Sequence, residues 1–277
     1  MSADTALSIT LTGGGRSGVR AEPTGPTRRS HTGVPHHEGV TTLAPPPPAR
    51  IARPLRVRLA LFAAVTLLAV SNVVSNRLWP QGYLVWNLGM AAVLLVVART
   101  GGLTWADLGL HGVRLRRGLT IGALAAAAVA AVYAVAVALP ATRAAFVDDR
   151  GTISLAAVLF VALVRIPLGT VVLEELAFRG VLPALVGGGW WRATLVSSGL
   201  FGLWHVLPSL GSGPAVTNAL GTSGAVIGTV LFTAAAGVVF RAWQRWSGHL
   251  VTPMLLHAAT NSLGVLIAWW VTHRPAM

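Results

Sequence analysis

From Leu59 onward the chain is one apolar run after another, and this succession constrains its fold more than anything else. The runs lie near Leu59–Ser75, Tyr83–Val97, Leu119–Leu139, Leu155–Leu185, Trp190–Leu207, Ala219–Val239 and Val251–Thr272. Several are long enough to cross a hydrocarbon layer of ~30 Å at ~1.5 Å per helical residue. Inside lipid a helix satisfies its own backbone polar groups, whereas an isolated strand does not. Charged residues make up 10% of the chain, against roughly 25% in soluble domains. The expectation is an all-α, polytopic transmembrane helical bundle of about seven spans. The second run is short and the fourth over-long, which leaves room for a bent or re-entrant piece.

Residues 1–55 differ from the rest. They hold half of the sixteen prolines, including Pro45 to Pro48, together with six arginines and no apolar period. Such a segment cannot bury enough apolar surface to offset its ordering entropy, so a disordered cytoplasmic arm is expected ahead of a membrane domain at 56–277. No secretory signal peptide is expected, because no apolar stretch of suitable length precedes Arg50. The absence of cysteine excludes disulfides, thiolate nucleophiles and Cys-ligated metal.

The formal net charge is +13, from 21 basic residues that are all arginine against eight acids. The arginines sit between apolar runs rather than in one patch, so no nucleic-acid partner is expected. With the N-terminus inside, the inner segments carry eleven arginines (among them Arg58, Arg99, Arg114, Arg192, Arg241 and Arg245). The outer segments carry four: Arg77, Arg143, Arg150 and Arg274. This asymmetry predicts a multi-pass plasma-membrane protein with its N-terminus cytoplasmic and its C-terminus outside.

Ionisable groups within spans cost ~2.5–3.5 kcal/mol each at a helix centre, so the few present are informative. They are Arg165, Glu174, Glu175, Arg179, His205 and His257, with Asn261 as a further polar group. Only four glutamates exist in the chain, and two of them stand side by side. Glu175 and Arg179 are four apart and share a helix face, so they can pair, while Glu174 projects ~100° away and is freed for chemistry. The blander alternative has both glutamates pairing with Arg165 and Arg179 as helix glue. His257 and Asn261 also share one face. Counted along their helices, Glu174, His205 and Asn261 reach ~18–20 Å from the inner side, and His257 ~12 Å. A glutamate beside a histidine can deprotonate water for attack on an amide carbonyl, and a second histidine with an asparagine supplies oxyanion donors. Glu174, His205 and His257 could instead hold a divalent metal such as zinc. Both versions lead to peptide-bond hydrolysis within the membrane.

Three motifs then stand in order: Glu174-Glu175-x-x-x-Arg179, Phe201-x-x-x-His205 and His257-x-x-x-Asn261. Together they resemble the CPBP intramembrane metalloproteases, also called the Abi family, which include CAAX proteases and bacteriocin-processing enzymes. The likeness is to type II CAAX-prenyl endopeptidases, and its strongest part is 155–263. The resemblance implies that Glu174 and His205 activate water and that His257 and Asn261 stabilise the oxyanion, with Glu175, Arg179 and Phe201 in support. It implies a lipidated or hydrophobic peptide substrate, and either zinc or a glutamate mechanism without direct coordination. Bacterial members are linked to bacteriocin maturation, self-immunity or membrane-protein processing. The long Arg- and Pro-rich arm departs from the usual pattern.

Two rivals remain. Gly221-Thr222-Ser223-Gly224 fits the Gly-x-Ser-Gly of rhomboid serine proteases with His257 as base, but strands Glu174, Glu175 and His205 without a purpose. A non-enzymatic transporter or immunity protein would use the buried polar cluster to bind an ion or partner.

Overall fold

The computed structural model describes residues 52–143, 146–147, 152–210 and 214–273. Nearly all of the arm read as disordered lies outside these residues, as do Asp148, Asp149, Arg150 and Arg274. All regular elements among the described residues are helical. We number the principal ones α1 (Ala52–Val73, prolonged by a π turn at Val74–Leu78), α2 (Tyr83–Thr100), α3 (Leu115–Ala138), α4 (Leu155–Val186), α5 (Trp190–Trp204), α6 (Gly221–Ser247) and α7 (Val251–His273).

Six of the seven are long and apolar enough to cross a membrane; α5, with 15 residues, is the exception. At ~1.5 Å per residue it measures ~22 Å, short of the hydrocarbon thickness. It nevertheless runs from one end of the bundle toward the other. A Cβ at Gly118 would meet His249 and Val251, one at Gly122 would meet Leu255, and the Tyr133 hydroxyl donates to the Thr260 carbonyl at 3.0 Å. Contacts that climb together along both helices make α3 and α7 parallel. An even number of crossings must then separate their starts, and with α3, α4 and α6 spanning, the segment from Trp190 through the short helix Val206–Ser209 supplies the fourth. The start of α1 and the last described turn of α7 accordingly lie at opposite ends of the helix bundle. Within the bundle α5 runs antiparallel to α6, since Ser198 faces Gly237 while Gly202 faces Val230 and Ala234.

The over-long fourth run has a physical resolution. Its 32 residues alternate between helix types: π at Val161–Val171, α at Val172–Glu175, π at Leu176–Val181, then α at Leu182–Val186. Pro167 has no N–H to give to the i−4 carbonyl and its ring crowds that turn, which widens the coil. Wide turns of this type collect at functional sites, and here they bracket the Glu174-Glu175 pair on both sides.

The buried core joins α1, α2, α4 and α5 through Leu68, Leu94, Leu173, Ala177, Leu182 and Phe201. The outer faces are apolar too: Phe62 on α1 and Phe232 on α6 are each 73% exposed. Such faces suit lipid, not water. At one end of the bundle the inner-segment arginines come together. Leu250 N–H donates to the Gly109 carbonyl at 2.8 Å, Arg117 donates to the Trp246 carbonyl at 2.8 Å, and Arg245 lies over the Trp190 ring at 5.2 Å. At that same end, outside the spans, His249 is buried against His111, with ring centroids 6.1 Å apart. Burial first, and then His111, hold the His249 imidazole below its ordinary pKa.

Candidate active site

The site is built around one imidazole. His257, on the inward face of α7, is 4% exposed. Its Nδ1 lies 2.7 Å from Glu175 Oε1, its Nε2 3.0 Å from the Asn261 amide nitrogen, and the same Nε2 3.8 Å from Glu174 Oε2. Asn261 donates to Nε2, so the ring proton resides on Nδ1 and is donated to Glu175. The adjacent glutamates therefore grip opposite edges of one ring, although their side chains leave the helix in different directions.

Glu175 is fully buried and has a second task. Arg179 Nη1 approaches the same Oε1 at 3.2 Å, one helical turn on. The approach lies off the N–H axis, so it is a charge contact rather than a hydrogen bond. The guanidinium itself is sandwiched between aromatic faces, 3.9 Å from the Phe201 centroid and 4.9 Å from that of Phe240. Desolvated cation–π contacts of this kind are worth ~2 kcal/mol or more, which helps to keep a cation in a site where Arg179 is 1% exposed. Phe201 thus supports the site by roofing the arginine. Phe240, which also packs on His257 with centroids 5.2 Å apart, does the same from α6.

Glu174 differs from its neighbour. The indole N–H of Trp204 donates to its Oε1 at 2.9 Å, whereas its Oε2 is buried with no hydrogen-bond partner among the described residues. A desolvated carboxylate oxygen facing an imidazole 3.8 Å away is an acceptor in want of a proton. Trp204 is in turn fixed by Asn72 of α1, whose amide donates to the Trp204 carbonyl at 2.9 Å.

The fold brings most of the residues singled out in the sequence together. Glu174, Glu175, Arg179, Phe201, His257 and Asn261 meet. His257 is level with both glutamates rather than shallower, since the π stretch at Leu176–Val181 makes the rise from Val186 to Glu174 less than that of a regular α-helix. Arg165 takes no part in the cluster: it stacks over Tyr83 at 4.6 Å, so the picture of both glutamates paired to two arginines does not hold. His205 sits at the edge, half-buried, where α5 ends. Its Nδ1 donates to the Phe201 carbonyl at 2.8 Å and its ring packs edge-on against Phe201, which leaves Nε2 with a free lone pair. Trp204 and Phe240 were missed. The signal for Trp204 was its place inside the Phe-x-x-x-His motif, away from the interfacial tryptophans.

The conditional metal set of Glu174, His205 and His257 does not fit this arrangement. Among the described residues no three histidine, aspartate or glutamate side chains are grouped as metal ligands. The one available lone pair of His257 is already accepting from Asn261. The serine alternative fails on distance. Ser223 is exposed near the start of α6, 17 residues before Phe240, or ~25 Å along the helix from the residue that touches His257.

Residues 153–263 match the family model described as type II CAAX prenyl endopeptidase Rce1-like. The matched stretch contains all three motifs and every member of the cluster except the supports from α1. The resemblance drawn from the motifs therefore holds for the stretch as a domain. No curated protein and no solved structure matches the chain.

Proposed function

We propose that the chain is an intramembrane endopeptidase that hydrolyses a peptide bond in a lipidated or hydrophobic, membrane-associated peptide. The observation that carries this reading is the unequal treatment of the two glutamates around His257: one locked, one with an oxygen open. Glu174 Oε2 is the general base. It takes a proton from a water that His205 Nε2 helps to hold, and the water oxygen attacks the amide carbonyl. Charge developing on the carbonyl oxygen is met by one N–H of the Asn261 amide, and His257 orients that donor by accepting the other at Nε2. Glu175 keeps the His257 ring oriented and Arg179 balances the second buried carboxylate. Collapse of the tetrahedral adduct breaks the C–N bond, and the proton held by Glu174 passes to the leaving amine.

The same reading places the arginine-rich end in the cytoplasm of a cell whose plasma membrane the chain crosses. The test is purified protein in detergent with a quenched prenylated or hydrophobic peptide. Wild type is expected to cleave, and Glu174→Gln to lose ~10²–10⁴-fold in rate, the usual contribution of a positioned base. Equal cleavage by the two proteins, or none by wild type on any such peptide, would remove the enzymatic reading and leave ion or partner binding.

A further inference from the structure

A cleft of about 560 Å³ opens at the basic end, between the start of α1 and the turn from α4 into α5. It is lined by Pro54, Val57, Arg58 and Leu61 on one side and by Leu185, Val186 and Arg192 on the other. We infer that this cleft binds one anionic phospholipid, with Arg58 and Arg192 on the phosphate and an acyl chain lying over Val57, Leu61 and Leu185.

Three observations converge on an amphipathic anion. First, two arginines 134 positions apart are brought to one cleft, and among the described residues no carboxylate pairs with either. The whole basic end has a single described acid, Asp107, which is engaged by the Thr104 backbone and hydroxyl. A rim of this charge is complementary to an anionic leaflet, where each arginine adds ~1 kcal/mol of attraction. Second, Arg192 is folded back over the turn: a Cβ on Gly188, whose φ is +73°, would come within 2.5 Å of its Nη1. Glycine at that position leaves the room in which the guanidinium lies over the turn. Third, the cleft lies where the basic end of the bundle meets its apolar helices. Trp190 and Trp191 stack edge-to-face at 4.4 Å beside it, at the level where indoles mark the headgroup zone. Leu61 lies seven residues beyond Pro54, or ~10 Å deeper along α1. Cation above and aliphatic wall below is the pattern of a phospholipid, not of a free anion.

The inference does not depend on the proteolytic reading. Full-length protein in neutral detergent is titrated with phosphatidylglycerol or phosphatidylcholine and the bound lipid is counted by native mass spectrometry. One phosphatidylglycerol per chain is expected to be retained in preference to phosphatidylcholine by roughly thirtyfold, the worth of two arginines at a membrane surface. The single variants Arg58→Gln and Arg192→Gln should each lose about fivefold of that preference, and the double variant all of it. Arg116→Gln/Arg117→Gln, outside the cleft, should keep it. Equal retention of both lipids, or an equal loss in the Arg116/Arg117 control, would overturn the assignment. Should the double variant fail to fold, the two single variants carry the test alone.

Discussion

Trp204 donates its indole N–H to Glu174 Oε1 at 2.9 Å and so decides which oxygen of that carboxylate is left for chemistry. Replacing it with phenylalanine keeps an aromatic ring against Phe178 but removes the donor. A hydrogen bond to a charged group is worth ~1.5–3 kcal/mol, so kcat for Trp204→Phe is expected to fall roughly tenfold to hundredfold. KM should stay near wild type, because no substrate contact is lost. Steady-state kinetics on the quenched peptide reads this directly. A raised KM with unchanged kcat would show that Trp204 binds substrate instead of fixing the base.

The two glutamates should separate in stability as well as in activity. Glu175→Gln leaves the Arg179 guanidinium buried without its counter-charge, and breaking a buried pair from one side costs ~3–5 kcal/mol. Glu174→Gln removes no ion-pair partner and should shift the thermal midpoint little. Removing both members of the pair, in Glu175→Gln/Arg179→Met, should recover most of the lost midpoint while leaving the protein inactive. A midpoint for Glu175→Gln equal to that of Glu174→Gln would mean that the Glu175–Arg179 contact carries no stability.

Chelation tests the chemistry from another side. Because the lone pair of His257 Nε2 is taken up by Asn261, proteolysis is expected to survive prolonged exposure to a strong zinc chelator. Activity that vanished on chelation and returned with stoichiometric zinc would require a different arrangement of His205 and His257.

Much of this was legible in the sequence because lipid is an unforgiving solvent. Apolar runs mark the spans, and each polar residue kept inside one stands out against its cost. Glu174, His257 and Asn261 were found that way. The grip of Glu175 on His257 was not, since a four-residue spacing to Arg179 accounts for Glu175 without any long-range partner. Nor could the sequence give the course of α4. A straight-helix count puts His257 too shallow, whereas the structure sets its ring between Glu174 and Glu175. Phe240 was invisible for a different reason: an aromatic residue in an apolar span carries no mark of the cation it covers.

His249 makes the basic end sensitive to acid. Its pKa is depressed in the folded protein, so the folded state prefers the neutral ring and takes up fewer protons than the unfolded chain. The stability tied to that ring is intact above the unfolded value of about 6.5 and is lost as pH falls from there through the folded value. Thermal midpoints measured from pH 8 down to pH 5 should drop more steeply for wild type than for His249→Asn. Identical slopes would assign the acid sensitivity to other groups.

The α5–α6 contact sets the position of Trp204 and His205, and two glycines on one helix separate its effects. A Cβ at Gly202 would lie 2.6 Å from the Val230 carbonyl oxygen and 3.0 Å from the Ala234 Cβ, atoms that cannot swing aside. Gly202→Ala must therefore push α5 off α6, at ~1–3 kcal/mol for overpacking, and carry the Trp204 donor away from Glu174. Gly199, one turn earlier, has nothing within 4 Å of where its Cβ would be. Gly199→Ala should be neutral or gain up to ~1 kcal/mol from helix propensity, with proteolysis unchanged. Thermal midpoints and initial rates for the two variants, prepared side by side, decide the matter. If Gly199→Ala proved as damaging as Gly202→Ala, the close approach of α5 to α6 would not be what holds the site in register.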